Sequence, residues 1–387
     1  MKQVYKNKIH FLGGLIALVA ILATGCRKTD FPDVSSPAYL RVFNCLTYNV
    51  TIDNKDAPPP FLTMLIDPVL DASGIPVSAD LTFDFMATRG PLARPYPDAG
   101  NTALWQKEFP GTAKIPVGPI VNGYDLSGYG MVKSGTHRFM FVSRPRSNDP
   151  FYSLPVSARK GILVDTTINL EQGEIYTMNI LEKSVYTRKI GLYLRKEIFT
   201  KIPLSDSLVY TNFYNLSSEG YAQTFVFDDN SKNTCIRDTM NIFYSLYGKD
   251  RQKIKGYTNA FMTGMTRSQD PAVRPYGQFP LFPDSTASHI YAGTSGQMFN
   301  ILSPGTPPDQ GEQSDDSKGN YTSFALGPEA PIAVFNLGGD VRTGMVISVY
   351  SGIYNPRSFA TVNTVEYVNG NMYITTLQRR YDPPVYK

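Results

Sequence analysis

Beyond residue 37 the apolar residues of this chain alternate, in short runs closed by glycine or proline. Tyr39-Leu40-Arg41-Val42-Phe43-Asn44 sets Leu40 and Val42 on one side and Arg41 and Phe43 on the other. Leu81-Thr82-Phe83-Asp84-Phe85-Met86 sets Leu81, Phe83 and Phe85 against Thr82 and Asp84. That period of two belongs to β-strands. No long stretch keeps a period near 3.6, so helices are not the principal element. The 25 tyrosines and 22 phenylalanines suit a half-buried pleated surface, and 31 glycines and 29 prolines supply turns between short strands. The expected fold is all-β, with long loops and a chain long enough to bury a sizeable core.

The opening strand has an echo. Tyr210-Thr211-Asn212-Phe213-Tyr214-Asn215 repeats its Tyr start, late aromatic and Asn stop. A second echo pairs Thr167-Ile168-Asn169-Leu170, Gly173 and Ile175-Tyr176-Thr177 with Thr364-Val365-Glu366-Tyr367, Gly370 and Met372-Tyr373-Ile374. Together they bracket two tandem β-sandwich domains, residues 38–202 and 207–387, with a linker at 201–207 and a longer insertion in the second. Further strands are expected at 134–142, at 188–199 from the alternation of Ile190, Leu192 and Leu194, and at 223–228, 242–247, 332–337 and 344–350. The polar run 303–323 reads as an exposed loop.

The first twenty-six residues follow another logic. Lys2, Lys6 and Lys8 precede an apolar or glycine run from Phe11 to Ala23, closed by Thr24, Gly25 and Cys26. This is the layout of a secretory signal peptide, residues 1–25. The run rises about 20 Å as a helix, short of the roughly 30 Å hydrocarbon core, which disfavours a permanent membrane span. Losing three lysines takes the formal charge from +4 to +1. No nucleic-acid partner is expected, since that normally needs a clustered basic face. Residues 26–37 are a polar tether with Pro32 and Pro37.

Leu22-Ala23-Thr24-Gly25-Cys26 resembles the lipobox of bacterial lipoproteins. The resemblance implies cleavage before Cys26 and lipidation of it, by a diacylglyceryl thioether and an amide-linked acyl chain such as palmitate. Multiple chains make a stable anchor. The alternative is an ordinary signal peptide that leaves Cys26 as a thiol. A lipoprotein of the cell envelope, in the outer membrane, is expected; periplasmic and surface faces both stay open, since Arg27 and Lys28 precede Asp30 and Asp33.

The paired opening strands, Ser134-Gly135-Thr136-His137 and the closing Gly173 with Tyr176-Thr177 resemble a family of bacterial envelope repeats, the domain of unknown function 4397. That resemblance implies immunoglobulin-like β-sandwiches in tandem on Bacteroidota-like lipoproteins. It brings no catalytic residues.

Candidate chemistry is sparse. His137 lies on an expected strand, and His289 in a polar loop without nucleophile-elbow glycines. Cys45 reads as a small buried apolar residue, and its separation from Cys235 argues against a disulfide. No zinc spacing occurs, and Asp309, Glu312, Asp315 and Asp316 lack the order of a calcium loop. No metal and no cofactor are expected. Trp105 and Tyr96 are candidates for a stacking platform for a sugar or a protein, set against burial of Trp105 at the end of a sandwich. Asp-Ser/Thr steps place possible O-glycosylation at Ser207, Thr166, Thr239 and Ser285, set against plain turns. The expectation is a non-enzymatic envelope lipoprotein with a protein or glycan partner. The first alternative is a structural or adhesive surface subunit pairing through strand edges. A glycan-degrading enzyme comes third.

Overall fold

The computed structural model describes residues 34–46, 52–53, 56, 59–85, 116–205, 208–224, 237–246, 253–280, 297–305, 308, 321–326, 344–345, 358–369 and 371–380. The chain is all-β. Its strands are β1 (Pro37–Asn44), β2 (Phe61–Leu70), β3 (Pro76–Phe85), β4 (Ile120–Val121), β5 (Tyr124–Asp125), β6 (Gly130–Lys133), β7 (Gly135–Arg144), β8 (Ile162–Leu170), β9 (Ile175–Glu182) and β10 (Ile190–Glu197). They continue with β11 (Leu208–Asn215), β12 (Thr239–Leu246), β13 (Ala260–Thr266), β14 (Gly277–Pro280), β15 (Gln297–Leu302), β16 (Tyr321–Leu326), β17 (Gly344–Met345), β18 (Ser358–Val368) and β19 (Asn371–Arg380).

Four sheets form, with orders β3-β2-β7-β8, β10-β9-β1-β6, β14-β11-β18-β19-β5-β4 and β13-β12-β15-β16-β17. The first two sandwich a core of Leu40, Val42, Leu62, Met64, Ile66, Phe83, Phe139, Phe141 and Met178. The last two sandwich Val209, Phe213, Met240, Ile242, Phe279, Phe299 and Val365. Leu40 and Val42 do lie on the core face of β1, as alternation requires, and Phe83 and Phe85 on that of β3.

The two sandwiches repeat one topology. β1 runs parallel to β9, and β11 parallel to β18; β10 closes a hairpin on β9, and β19 on β18. The hairpins β2–β3 and β12–β13, and the pairs β2–β7 and β12–β15, match likewise. The opening echo therefore joins equivalent strands, β1 and β11. The second echo does not: it aligns β8 and β9, which lie in different sheets, with the hairpin β18–β19, whereas topology makes β9 the counterpart of β18. In sequence both read as strand, glycine and strand, so local pattern could not separate a crossing between sheets from a hairpin within one.

β1, β9 and β11 are buried on both faces. Their second faces form a seam between the two inner sheets. Tyr39, Ile175, Tyr210, Val362 and Leu377 pack at one part of it, and Phe43, Cys45, Tyr193, Tyr214 and Tyr373 at another. The hairpin β4–β5 leaves the first half and adds to β19 in the second. Its turn is Asn122-Gly123, both at positive φ (49° and 85°), which suits a type I′ turn. At the other side Glu219 exchanges backbone bonds with Lys183 and Val185.

Three local expectations change. Residues 221–224 are one helical turn, not the start of a strand. Residues 321–323, at the end of the expected loop, begin β16. The connection from β10 to β11 buries Phe199 and Leu204.

Candidate functional site

Charges that a strand pattern would place toward solvent meet inside the seam. Arg195 and Glu197 stand two apart on β10 and so share a face. Ile190, Leu192 and Leu194 take the opposite face, toward the sandwich core. Arg195 donates from Nε to Glu197 Oε1 at 2.9 Å and from an Nη to Glu366 Oε1, on β18, at 3.0 Å. Thr177 Oγ1 donates to Glu197 Oε1 at 2.7 Å, and Asn179 Nδ2 reaches Glu366 Oε1 at 3.4 Å. The Arg195 guanidinium lies 4.3 Å from the Tyr214 ring centre, and that of Arg41 4.1 Å from Tyr129. Both are cation–π distances.

Arg41, Arg195, Glu197 and Glu366 are each at most 4% exposed, two positive and two negative. Breaking a buried pair of this kind costs about 3–5 kcal/mol, because the surviving charge stays desolvated. Burial works against the charge of Arg195, but Glu197, Tyr214 and Glu366 outweigh it and hold its pKa well above the ordinary value. Tyr129 is pushed up to about 12 by burial. A cavity of about 10 Å³ remains among Arg41, Tyr129, Thr177, Glu197, Thr364 and Thr375. That is room for about one water molecule. The site can neutralise charge and fix two sheets against each other; it has no room for a substrate.

A second buried pair lies on the outer face of the first sheet. Arg144 donates to both oxygens of Asp84, at 3.2 and 2.8 Å, and Thr63 Oγ1 donates to Asp84 at 2.5 Å. Phe151 and Leu154 pack against that face with Leu65 and Met140. Asp84 was legible only as the polar side of its strand.

His137 lies on β7, as expected. Its Nδ1 is 2.6 Å from Asp67 Oδ2 and its Nε2 is 2.8 Å from the Lys133 carbonyl. Asp67 is 70 residues away in sequence, at no telling spacing, and arrives through the pairing of β2 with β7. Both ring nitrogens are occupied, which suits a structural role. Cys45 is buried with its thiol toward Asn179 Oδ1, 3.6 Å away, and is not in a disulfide. Thr166 is half-buried on β8, and Thr239 is the exposed first residue of β12. The structure does not bring these two together. Cys26, Tyr96, Trp105, Ser207, Cys235, Ser285, His289, Asp309, Glu312, Asp315 and Asp316 lie outside the described residues. Among the described residues, no group of three or more His, Cys, Asp or Glu is placed to hold a metal ion. No described helix is long and apolar enough to cross a membrane.

No family model matches this chain, and no curated protein matches it. The solved structure of a Bacteroides uniformis protein, provisionally named a cell adhesion protein, aligns over 90% of this chain and 99% of its own. The identity is 8% and the TM-score 0.17, so the alignment carries no argument about fold or function.

Proposed function

We propose that this chain is a non-enzymatic lipoprotein of the cell envelope, held by acylated Cys26 and offering its loops to a protein partner or a glycan. The observation that supports this reading most is the fate of its buried acids. Asp84, Glu197 and Glu366 are each bonded to an arginine in a closed setting. An acid–base pair for hydrolysis needs a cleft wide enough for substrate. Two sandwiches, residues 38–202 and 207–387, then act as a rigid display body, and the run from Phe11 to Cys26 supplies export and anchorage. The adhesive reading is supported by β8 and β10 each pairing on one side only among the described residues.

The test is fractionation of cells carrying the wild type or Cys26→Ala, with protease applied to intact cells. The wild type is expected in the membrane fraction and the variant in the soluble one. Protease sensitivity of the wild type places the display outward, and protection places it in the periplasm. A variant that fractionates like the wild type contradicts the lipid anchor.

A further inference from the structure

β1 is the first described strand, yet it does not lie at an edge. It sits between β9 and β6 in the inner sheet of the first sandwich. It pairs with β9 in parallel at six positions, from Tyr39 with Ile175 to Asn44 with Ile180, and with β6 at four. The Tyr39 and Cys45 N–H groups donate to the Glu174 and Ile180 carbonyls, both at 2.9 Å, so the bonds to β9 run the whole length of β1. Leu40 and Val42 fill the sandwich core on one face, while Tyr39 and Phe43 fill the seam on the other.

Because β1 and β9 are parallel, both start at one end of the sheet and both finish at the other. The chain enters β1 at the first end, through Ser36 and Pro37. β9 finishes at the far end, in the loop 183–189, where Tyr186 is 64% exposed. Glu219, from the second half, bonds to the backbone of Lys183 and Val185 at that same end. A pull between the entering chain and these far loops draws β1 one way and β9 the other, along their common axis. The evenly spaced bonds of the parallel ladder then carry the force together; a crosswise pull opens them one after another. Side chains oppose sliding as well. A slip of one residue would exchange the two faces of β1, driving Arg41 and Phe43 into the core and drawing Leu40 and Val42 out of it.

We propose that β1 is a mechanical clamp: the first sandwich bears tension between its entering chain and its far loops in shear, and stays folded while a partner held at those loops is pulled. The use made of the clamp rests on the anchored display reading. The clamp itself follows from the β1–β9 ladder and the two buried faces of β1.

Single-molecule force spectroscopy of the full chain tests it, with bio-orthogonal attachment handles at exposed positions. Handles at Ser35 and Tyr186 pull β1 and β9 in shear; handles at Ser35 and Gln172 pull the starts of the same two strands apart. At one pulling speed, the Ser35–Tyr186 pair is expected to need at least about twofold more force for first unfolding, because forced unfolding follows the barrier met along the direction of pull. Circular dichroism establishes that each labelled chain is folded, and Thr187, also exposed, replaces Tyr186 if that handle disturbs the fold. Equal forces in the two directions, or a higher force for the Ser35–Gln172 pair, overturn the clamp. That result would leave the anchored, non-enzymatic reading intact, because fractionation tests that separately.

Discussion

Tyr129, Tyr193, Tyr214 and Tyr276 surround the seam charges, and burial raises the pKa of each. The folded chain therefore keeps phenolic protons that the unfolded chain releases above about pH 10. Native protein binds more protons in that window, so stability falls as pH rises. For Tyr129, pushed up to about 12, the loss between pH 10 and 12 is roughly 2–3 kcal/mol. Urea midpoints measured from pH 9 to 12 are expected to drop steeply, and Tyr129→Phe to flatten the drop. A flat profile in the wild type would contradict buried phenols. None of this was legible from sequence. Arg41, Arg195 and Glu197 stand on alternating strands where the outward side reads as solvent, and only a second sheet makes that side an interior.

At the scale of elements, strands with one apolar face were legible. β10 was assigned from Ile190, Leu192 and Leu194, and β7 from the run around His137. Their pairing was not, because β8–β9, which crosses between sheets, and the hairpin β18–β19 share a local pattern. The Asn122-Gly123 turn is a strong hairpin signal that went unread, since only two residues flank it on each side. It fixes β4–β5 on the sheet of the second half, and Asn122 Nδ2 also donates to the Thr200 carbonyl at 2.5 Å. Gly123 has φ of 85°, where a Cβ costs about 1–2 kcal/mol. Gly123→Ala is expected to destabilise by about that amount. Amide exchange should accelerate at Tyr124 and Arg379, whose Cα atoms pair across the junction. Unchanged exchange there would mean that the hairpin does not hold the edge of β19.

Across the described residues, two sandwiches of one topology pack through a seam of aromatic and apolar residues that encloses the Arg195–Glu366 pair. Composition and alternation disclosed the sandwich class, and the Tyr39 and Tyr210 strands, β1 and β11, take matching places in their sheets. The seam stayed hidden because its polar and aromatic residues mimic a solvent face, and the candidate site with it. If the seam unites the sandwiches, they unfold together; domains joined only by a linker melt apart. Calorimetric unfolding of the full chain, wild type beside Glu366→Ala, is the direct measurement. The account predicts a single transition in the wild type and a loss of about 3–5 kcal/mol in the variant, with both sandwiches destabilised together. Two separate transitions in the wild type, or a variant that shifts only one of them, would contradict it.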